Sequence, residues 1–520
     1  MAPPKKNRPK RHKNPPRKRS KPSPDTDSTG GSWLTWSGRR FGYGETGETP
    51  SPEGKDPTAR LWEVVYAVAD ATHEGGKARE RAVGAEVGGV DSAGRGAGRG
   101  RLYLGDNATW SGPLMEDLGG KVDLIYMDPP YGTGIQRRVL RGGGRRPHAK
   151  SGEVGFYDHK ATGAEFAQRL HEVFVTCRRL LSPKGQLFVH VDYRASGMVR
   201  VLLDEVFGVE ALRNEIVWHY ESGGRPKNFY ARKSDSIFWY APGAEVTFHP
   251  DRIAQPRNRC WRCGGELETW NHLKKQTDES GRVYRTIKSA GRVYRYYDDE
   301  PVPPSNVWMD VPIIHQRDPQ RTGYPTQKPL ALLERIVRAH TEEGDLVLDP
   351  FCGSGTTLVA AARLGRRWVG VDRNPLAVAL SRRRLLEAGA SPFSCFSLSR
   401  GPEQGEAWPP ATVEHRGDSF IVRLESRELQ RDLEHWAVGV RRRGETVVRC
   451  FWLAPPSRSE PKGEGRAELP SESPPFSEGL LGENGELELL LGCQKFDGTT
   501  RWHTIDPVAE EKRRRSEEES

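Results

Sequence analysis

Along the middle of this chain, apolar residues alternate between two rhythms. Runs with almost no polar interruption, at Val122–Met127, 186–191, 346–348 and 368–371, have the length and continuity of strands buried on both faces. Between them the apolar positions fall at helical spacing: Phe166, Leu170, Val173, Cys177 and Leu181, then 198–207, then Leu330, Leu333, Ile336, Val337 and His340 behind Pro329, then 357–364 and 376–386. A shorter strand, 102–104, runs into Gly105-Asp106-Asn107. Strands alternating with helices predict an α/β fold built on one parallel sheet.

The rhythm breaks at about residue 209 and resumes at about 312. In between, Trp218, Tyr220, Phe229, Tyr230, Trp239 and their neighbours are interleaved with Arg and Lys. Gly281-Arg282-Val283-Tyr284-Arg285 recurs as Gly291-Arg292-Val293-Tyr294-Arg295, two alternating runs joined through Ser289-Ala290-Gly291, which predicts a hairpin. Residues 58–72 predict a helix, with Leu61, Val64, Val65, Val68 and Ala69 on one face. The expected organisation is a basic disordered arm (1–57), a helix and Gly/Arg-rich linker (58–100), the first half of the α/β domain (101–207), a β-rich insertion (208–312), the second half (313–390), and a small β-rich region with a frayed tail (391–520).

Charge changes this picture at one place. The formal net charge is +10, yet residues 1–24 carry ten Lys or Arg and no acid, which leaves 70 basic against 70 acidic residues in the rest. The arm suits phosphate contact through counterion release; a solvated tail and an import signal are other readings of the same residues. Seven scattered cysteines fit reduced thiols. Cys260 and Cys263 form a single CxxC with His272 as a conceivable third ligand, short of the four that zinc takes, so no metal is expected. No apolar run approaches the roughly 20 residues of a membrane span, and a cytoplasmic protein is expected.

Two strand ends carry the candidate chemistry. Asp128-Pro129-Pro130-Tyr131 follows one strand, and Asp349-Pro350-Phe351-Cys352-Gly353-Ser354-Gly355-Thr356-Thr357 another. Open parallel sheets bind ligands at such ends. The Gly-rich turn offers backbone N–H groups to a nucleotide-like ligand; it is neither GxGxxG nor a P-loop. Asp372, at the end of the next strand, is spaced to accept ribose hydroxyls, or else to cap the following helix. The Asp128 carboxylate and the Pro129 carbonyl can accept both protons of an exocyclic amine. That draws its nitrogen toward tetrahedral geometry and frees a delocalised lone pair. The two prolines stiffen the turn, and Tyr131 can stack on a base. Alone, Asp-Pro-Pro-Tyr is also an ordinary turn. Arg282, Arg285, Lys288, Arg292 and Arg295 on the hairpin suit phosphates and base edges, whereas a β-rich insertion with core aromatics is the bland alternative.

These motifs, with Tyr324-Pro325-Thr326-Gln327-Lys328-Pro329 between them, resemble the amino-methyltransferases of DNA, in the β-class order, over roughly residues 101–390. The resemblance implies a circularly permuted, Rossmann-like S-adenosylmethionine-dependent methyltransferase sheet with an inserted target-recognition domain. It implies S-adenosyl-L-methionine as donor, with Asp106 at its adenine, Asp372 at its ribose, and Asp349, Phe351, Gly353, Gly355, Thr326 and Lys328 around its amino-acid end. Asp rather than Ser at position 128 implies adenine N6 over cytosine N4. Double-stranded DNA is the implied partner, with room for a separate restriction endonuclease, a homodimer and a place at the nucleoid. Departures are the basic N-terminus, the Gly/Arg loop 141–146 and the CxxC. A DNA-binding specificity protein on a degenerate methylase fold is the alternative of another class.

Overall fold

The computed structural model describes residues 60–66, 100–130, 136–140, 153–157, 163–221, 224, 226–257, 260, 265, 273–390, 393–399, 411–416, 419–424, 433–442, 447–454, 466–470, 487–495 and 500–505. Tyr131, Cys263, His272, the basic arm and the 141–146 loop lie outside them.

The central sheet contains six neighbouring parallel strands, in the order Leu181–Val191, Val122–Met127, Leu346–Asp349, Arg367–Asp372, Gly100–Leu104 and Phe393–Ser399. Two helical layers cover it. Helices Asn107–Leu118, Gly163–Leu180 and Ser196–Phe207 bury Trp110, Leu114, Phe166, Phe174 and Leu203 on one face. Leu330–His340, Thr356–Arg363 and Pro375–Glu387 bury Leu332, Leu333, Ile336 and Leu358 on the other. Strand alternation feeds both cores: Ile125 and Met127 join the first, Leu124 and Tyr126 the second.

This layering creates a topological switch point. The Val122–Met127 strand continues through a helix on one face, and the adjacent Leu346–Asp349 strand through a helix on the other. Connections that part to opposite faces leave a crevice at the carboxyl ends of those two strands.

Three expectations are corrected. Residues 60–66 are a strand, Arg60–Tyr66, antiparallel to Phe393–Ser399 and parallel to Val447–Ala454. Arg-Leu-Trp-Glu-Val-Val-Tyr is rich in β-branched and aromatic residues, and two available edges settle what its mixed periodicity left open. Second, Leu212–His219 and Ser234–Tyr240 do not belong to a separate insertion: they extend the central sheet, Ser234–Tyr240 pairing antiparallel to both Leu181–Val191 and Leu212–His219. Only from about residue 241 does the chain leave the sheet, to form the Gln276–Thr277, Val283–Ser289, Arg292–Tyr297 unit. Third, Val447–Ala454, Leu433–Arg442, Leu487–Lys495 and Thr500–Ile505 continue the central sheet beyond Arg60–Tyr66, while Ala411–Arg416, Ser419–Leu424 and Arg466–Pro470 pair among themselves. Among the described residues no helix is long and apolar enough to cross a membrane.

Candidate active site

Four parallel strands end side by side and deliver, in order, Asp106, Asp372, the 349–355 turn and Asp128. Three strand spacings of about 4.8 Å make this edge roughly 14 Å long. Backbone and side-chain bonds tie it together. Gly105 N–H donates to the Asp372 carbonyl at 2.9 Å, and the Asn107 amide to the Pro350 carbonyl at 2.8 Å. Gly353 N–H donates to the Asp372 carboxylate at 2.9 Å. Leu348 is in register with Ile125, so the turn that follows Asp349 and the Asp128 motif leave the sheet from neighbouring strands.

Within the turn, Asp349 is buried rather than open to a ligand. Its carboxyl accepts from Thr357 Oγ1 at 2.6 Å and from Phe351 N–H at 3.0 Å. Burial pushes it up to about 7, against those two donors and with help from Asp128 and Asp372. Gly353 and Gly355 take left-handed backbone, φ 52° and 74°, as the sharp strand-to-helix turn requires. A Cβ on Gly353 would find only Tyr324 and the Phe351 carbonyl within 4 Å, so the backbone there stands open to a ligand. Burial also raises the Asp372 carboxyl. Asn374 is the cap of the next helix, accepting from Leu376 N–H at 3.0 Å, while the Asp372 carboxylate also accepts from Asn374 N–H at 2.8 Å. Asp106 is exposed and caps the Asn107–Leu118 helix through Ala108 N–H at 2.9 Å.

The structure brings Lys328 to a different partner from the one expected. Its ammonium pairs with the Asp128 carboxylate, the two side chains 11% and 16% exposed. Thr326 is exposed and strained, with φ 61° at a β-branched residue. Tyr324, quoted in the motif but given no role, bridges the halves of the site: its ring lies against Gly353 and packs on Leu376 and Leu380. Burial, then Asp372, Cys352 and Asp128, holds its phenol well above the ordinary value. Cys352 is buried and its thiol is pushed up, the opposite of a nucleophile's tuning.

Beyond Lys328 opens a cavity of about 330 Å³, whose walls include Trp218, Tyr220, Asp192, Asp235, Thr326 and Lys328. Behind it runs a buried chain that sequence reasoning missed. His190 Nε2 meets Asp235 at 3.1 Å, His190 Nδ1 meets the Tyr126 hydroxyl at 2.8 Å, and Tyr220 donates to Asp235 at 3.0 Å. Burial, then Lys328, lowers the His190 imidazole, which favours the neutral ring. A carboxylate only accepts, so Nε2 carries the proton and Nδ1 accepts from Tyr126. Burial draws the Asp235 carboxyl up, but His190, Lys328 and Tyr220 outweigh it and hold it below its usual range.

The hairpin turns through Ala290-Gly291, both at positive φ. Of its five basic candidates, Arg285 is corrected: it is 1% exposed, bonded to the Leu273 carbonyl and paired with Asp298 at 3.1 Å, a strut rather than a DNA contact. Arg282 pairs twice with Asp299, at 2.8 and 3.0 Å, and lies over Tyr297. Lys288, Arg292 and Arg295 are exposed, beside exposed Ile287, Val293 and Tyr294. Among the described residues no His, Cys, Asp and Glu cluster could hold a metal.

A binding edge at a switch point, with carboxylates and an open turn on one side and the Asp128 carboxylate on the other, marks a ligand-binding protein of the doubly wound α/β class. The family model described as DNA methylase matches residues 122–383, about half of the 520-residue chain. Similar curated proteins include the type II methyltransferase M.EcaI of Enterobacter cloacae, 30% identical over 57% of this chain and 69% of that one. Another is the DNA adenine methyltransferase YhdJ of Escherichia coli K12, 27% identical over 54% of this chain and 80% of its own. Among solved structures, M1.HpyAVI in complex with SAM overlaps 55% of this chain and 98% of that one, at 20% identity and a TM-score of 0.34. The chain belongs to the DNA methylase family and is an N6/N4 DNA methyltransferase.

Proposed function

We propose that this enzyme moves a methyl group from S-adenosylmethionine to adenine N6 of a base turned out of duplex DNA, at a specific sequence. The observation that carries the reading is the abutment of the Asp128 strand end and the Gly353–Gly355 turn across one switch point. Asp372 ends its strand opposite Leu104, two residues before Asp106, and the backbone at Gly353 is open beside it, so the residues fit the donor. When bound, S-adenosylmethionine supplies a methyl group on positively charged sulfur, electrophilic enough for direct displacement. Asp372 suits the ribose hydroxyls, Asp106 the adenine, and the 351–355 turn the amino-acid end. Asp128 and the Pro129 carbonyl accept hydrogen bonds from the two N–H groups of the target amine, and Pro130 holds their geometry. Trp218 and Tyr220 give the neighbouring cavity aromatic walls, and stacking there is worth roughly 1–3 kcal/mol per base, against a cost of a few kcal/mol for turning the base out. The type II relatives suit a companion endonuclease that reads the same DNA sequence.

Nuclease digestion of DNA methylated by the enzyme, with chromatographic identification of the modified nucleoside, tests the assignment. N6-methyldeoxyadenosine is the expected product; N4-methyldeoxycytidine would move the reading to the other amine. DNA contact by the hairpin makes a separate prediction. Lys288→Ala and Arg292→Ala each lower the slope of log affinity against log salt by about 0.9 without changing the melting temperature. Unchanged slopes in both variants would remove the hairpin from the DNA interface.

A further inference from the structure

Lys328 lies where two carboxylates can claim its ammonium, Asp128 and, by the assignment above, the donor's amino-acid end. It is paired with the carboxylate that must accept the target amine, and both partners are largely buried. Its loop also spans the site: Tyr324, four residues earlier, lies against Gly353, where the donor's amino-acid end is assigned above. Between the two sits Thr326, one of two non-glycine residues at positive φ among the described residues. A β-branched residue held there is strained, and strained loops at active sites commonly have a second arrangement close in energy. A third observation concerns charge. An ammonium this buried keeps a counter-ion wherever it goes, and the anion that a bound donor brings to this loop is the carboxylate of its amino-acid end.

We propose that Lys328 is a shared counter-ion, held by Asp128 as in this structure and drawn from it by the donor's carboxylate, so that donor binding unmasks the acceptor for the base. The inference rests on the donor assignment under the proposed function. It makes Lys328 a positioning residue: it acts on the amine through Asp128 and never touches it. Linkage then requires reciprocity, since whatever weakens the hold of Asp128 on Lys328 strengthens the donor's hold on it.

Calorimetry on the full chain reads that reciprocity without turnover. S-adenosylhomocysteine is the probe, because its neutral sulfur removes any direct attraction between Asp128 and a sulfonium; methylthioadenosine, which lacks the amino-acid end, is the control. Asp128→Asn is expected to tighten S-adenosylhomocysteine by about fivefold or more, the lower range of site–site coupling, and to leave methylthioadenosine unchanged. Lys328→Met weakens S-adenosylhomocysteine, and in the double variant the Asp128→Asn gain disappears. Asp128→Ser repeats the first measurement should the Asn variant fold poorly. If Asp128→Asn and Asp128→Ser bind S-adenosylhomocysteine as the wild type does, or tighten both ligands alike, the shared counter-ion is wrong although the donor site stands. If the wild type binds neither ligand, the donor assignment fails and takes this inference with it.

Discussion

Asp128→Ala is expected to lose methyl transfer while still binding S-adenosylmethionine. The carboxylate directly follows the Val122–Met127 strand, next to the strand Leu346–Asp349 that leads into the Gly-rich turn. Two neighbouring carboxylates among the described residues are otherwise engaged: Asp349 accepts from Thr357 and Phe351 N–H, and Asp235 from His190 and Tyr220. Removing one preorganised polar group from a reacting centre costs on the order of 10²–10³-fold in kcat. Asp128→Asn keeps one acceptor oxygen and should fall between. Single-turnover methyl transfer, measured beside donor affinity by calorimetry, separates chemistry from binding. A rate within tenfold of wild type would dismiss Asp128 as the acceptor.

How much of this was readable beforehand depends on distance along the chain. The buried parallel strands announced themselves because both faces are covered, so Val122–Met127 is apolar at nearly every position. Residues 60–66 did not. Leu61, Val64 and Val65 satisfy a helical stripe, and the strand is decided by partners at 393–399 and 447–454 that no local window contains. The Asn107–Leu118 helix gives a weak local pattern because Gly112 and Pro113 interrupt it. Its signal was present in the capping Asp106 and in Trp110, Leu114 and Leu118 at intervals of four. The hairpin of Leu212–His219 and Ser234–Tyr240 was assigned to the insertion because an antiparallel edge needs no intervening helix, so the α/β rhythm stops before the sheet does.

The site divides in the same way. Motif residues were legible because a turn is a local object; their partners were not. The Lys328–Asp128 pair spans 200 positions, and the Tyr126–His190–Asp235–Tyr220 chain joins three separate strands and the residue following a fourth. Five basic residues on a hairpin read as one surface, yet alternation places Arg285 on the inward face against Asp298. A buried guanidinium needs a partner, and Asp298, directly after the hairpin, is the one that Arg285 takes.

The largest stability loss is expected from Gly355→Ala. Gly355 begins the Thr356–Arg363 helix with φ 74°, where a Cβ costs about 1–2 kcal/mol. Space is the second objection. The added carbon would lie 2.6 Å from Ser381 Oγ, 2.8 Å from its Cβ and 3.0 Å from its Cα, and the last of these is backbone that cannot turn aside. Overpacking of this kind costs about 1–3 kcal/mol, for a total of roughly 2–5 kcal/mol. Moving Ser381 also breaks its bond to the Gly353 carbonyl, 2.8 Å, which fixes the open face of the turn, so donor affinity should fall with stability. Gly353→Ala provides the contrast. Its Cβ meets only Tyr324 at 3.4 Å and the Phe351 carbonyl at 3.9 Å, so the stability loss should be smaller, while the intruding methyl still weakens the donor. Adding Ser381→Gly to Gly355→Ala removes the contacts with Oγ and Cβ but leaves the 3.0 Å approach to the Cα of residue 381 and the backbone strain, so it should restore only part of the lost stability. Thermal denaturation of the three variants decides: a Gly355→Ala loss below about 1 kcal/mol, or no recovery on adding Ser381→Gly, would mean that the helix beginning at Thr356 yields and that contact with Ser381 does not set the shape of the turn.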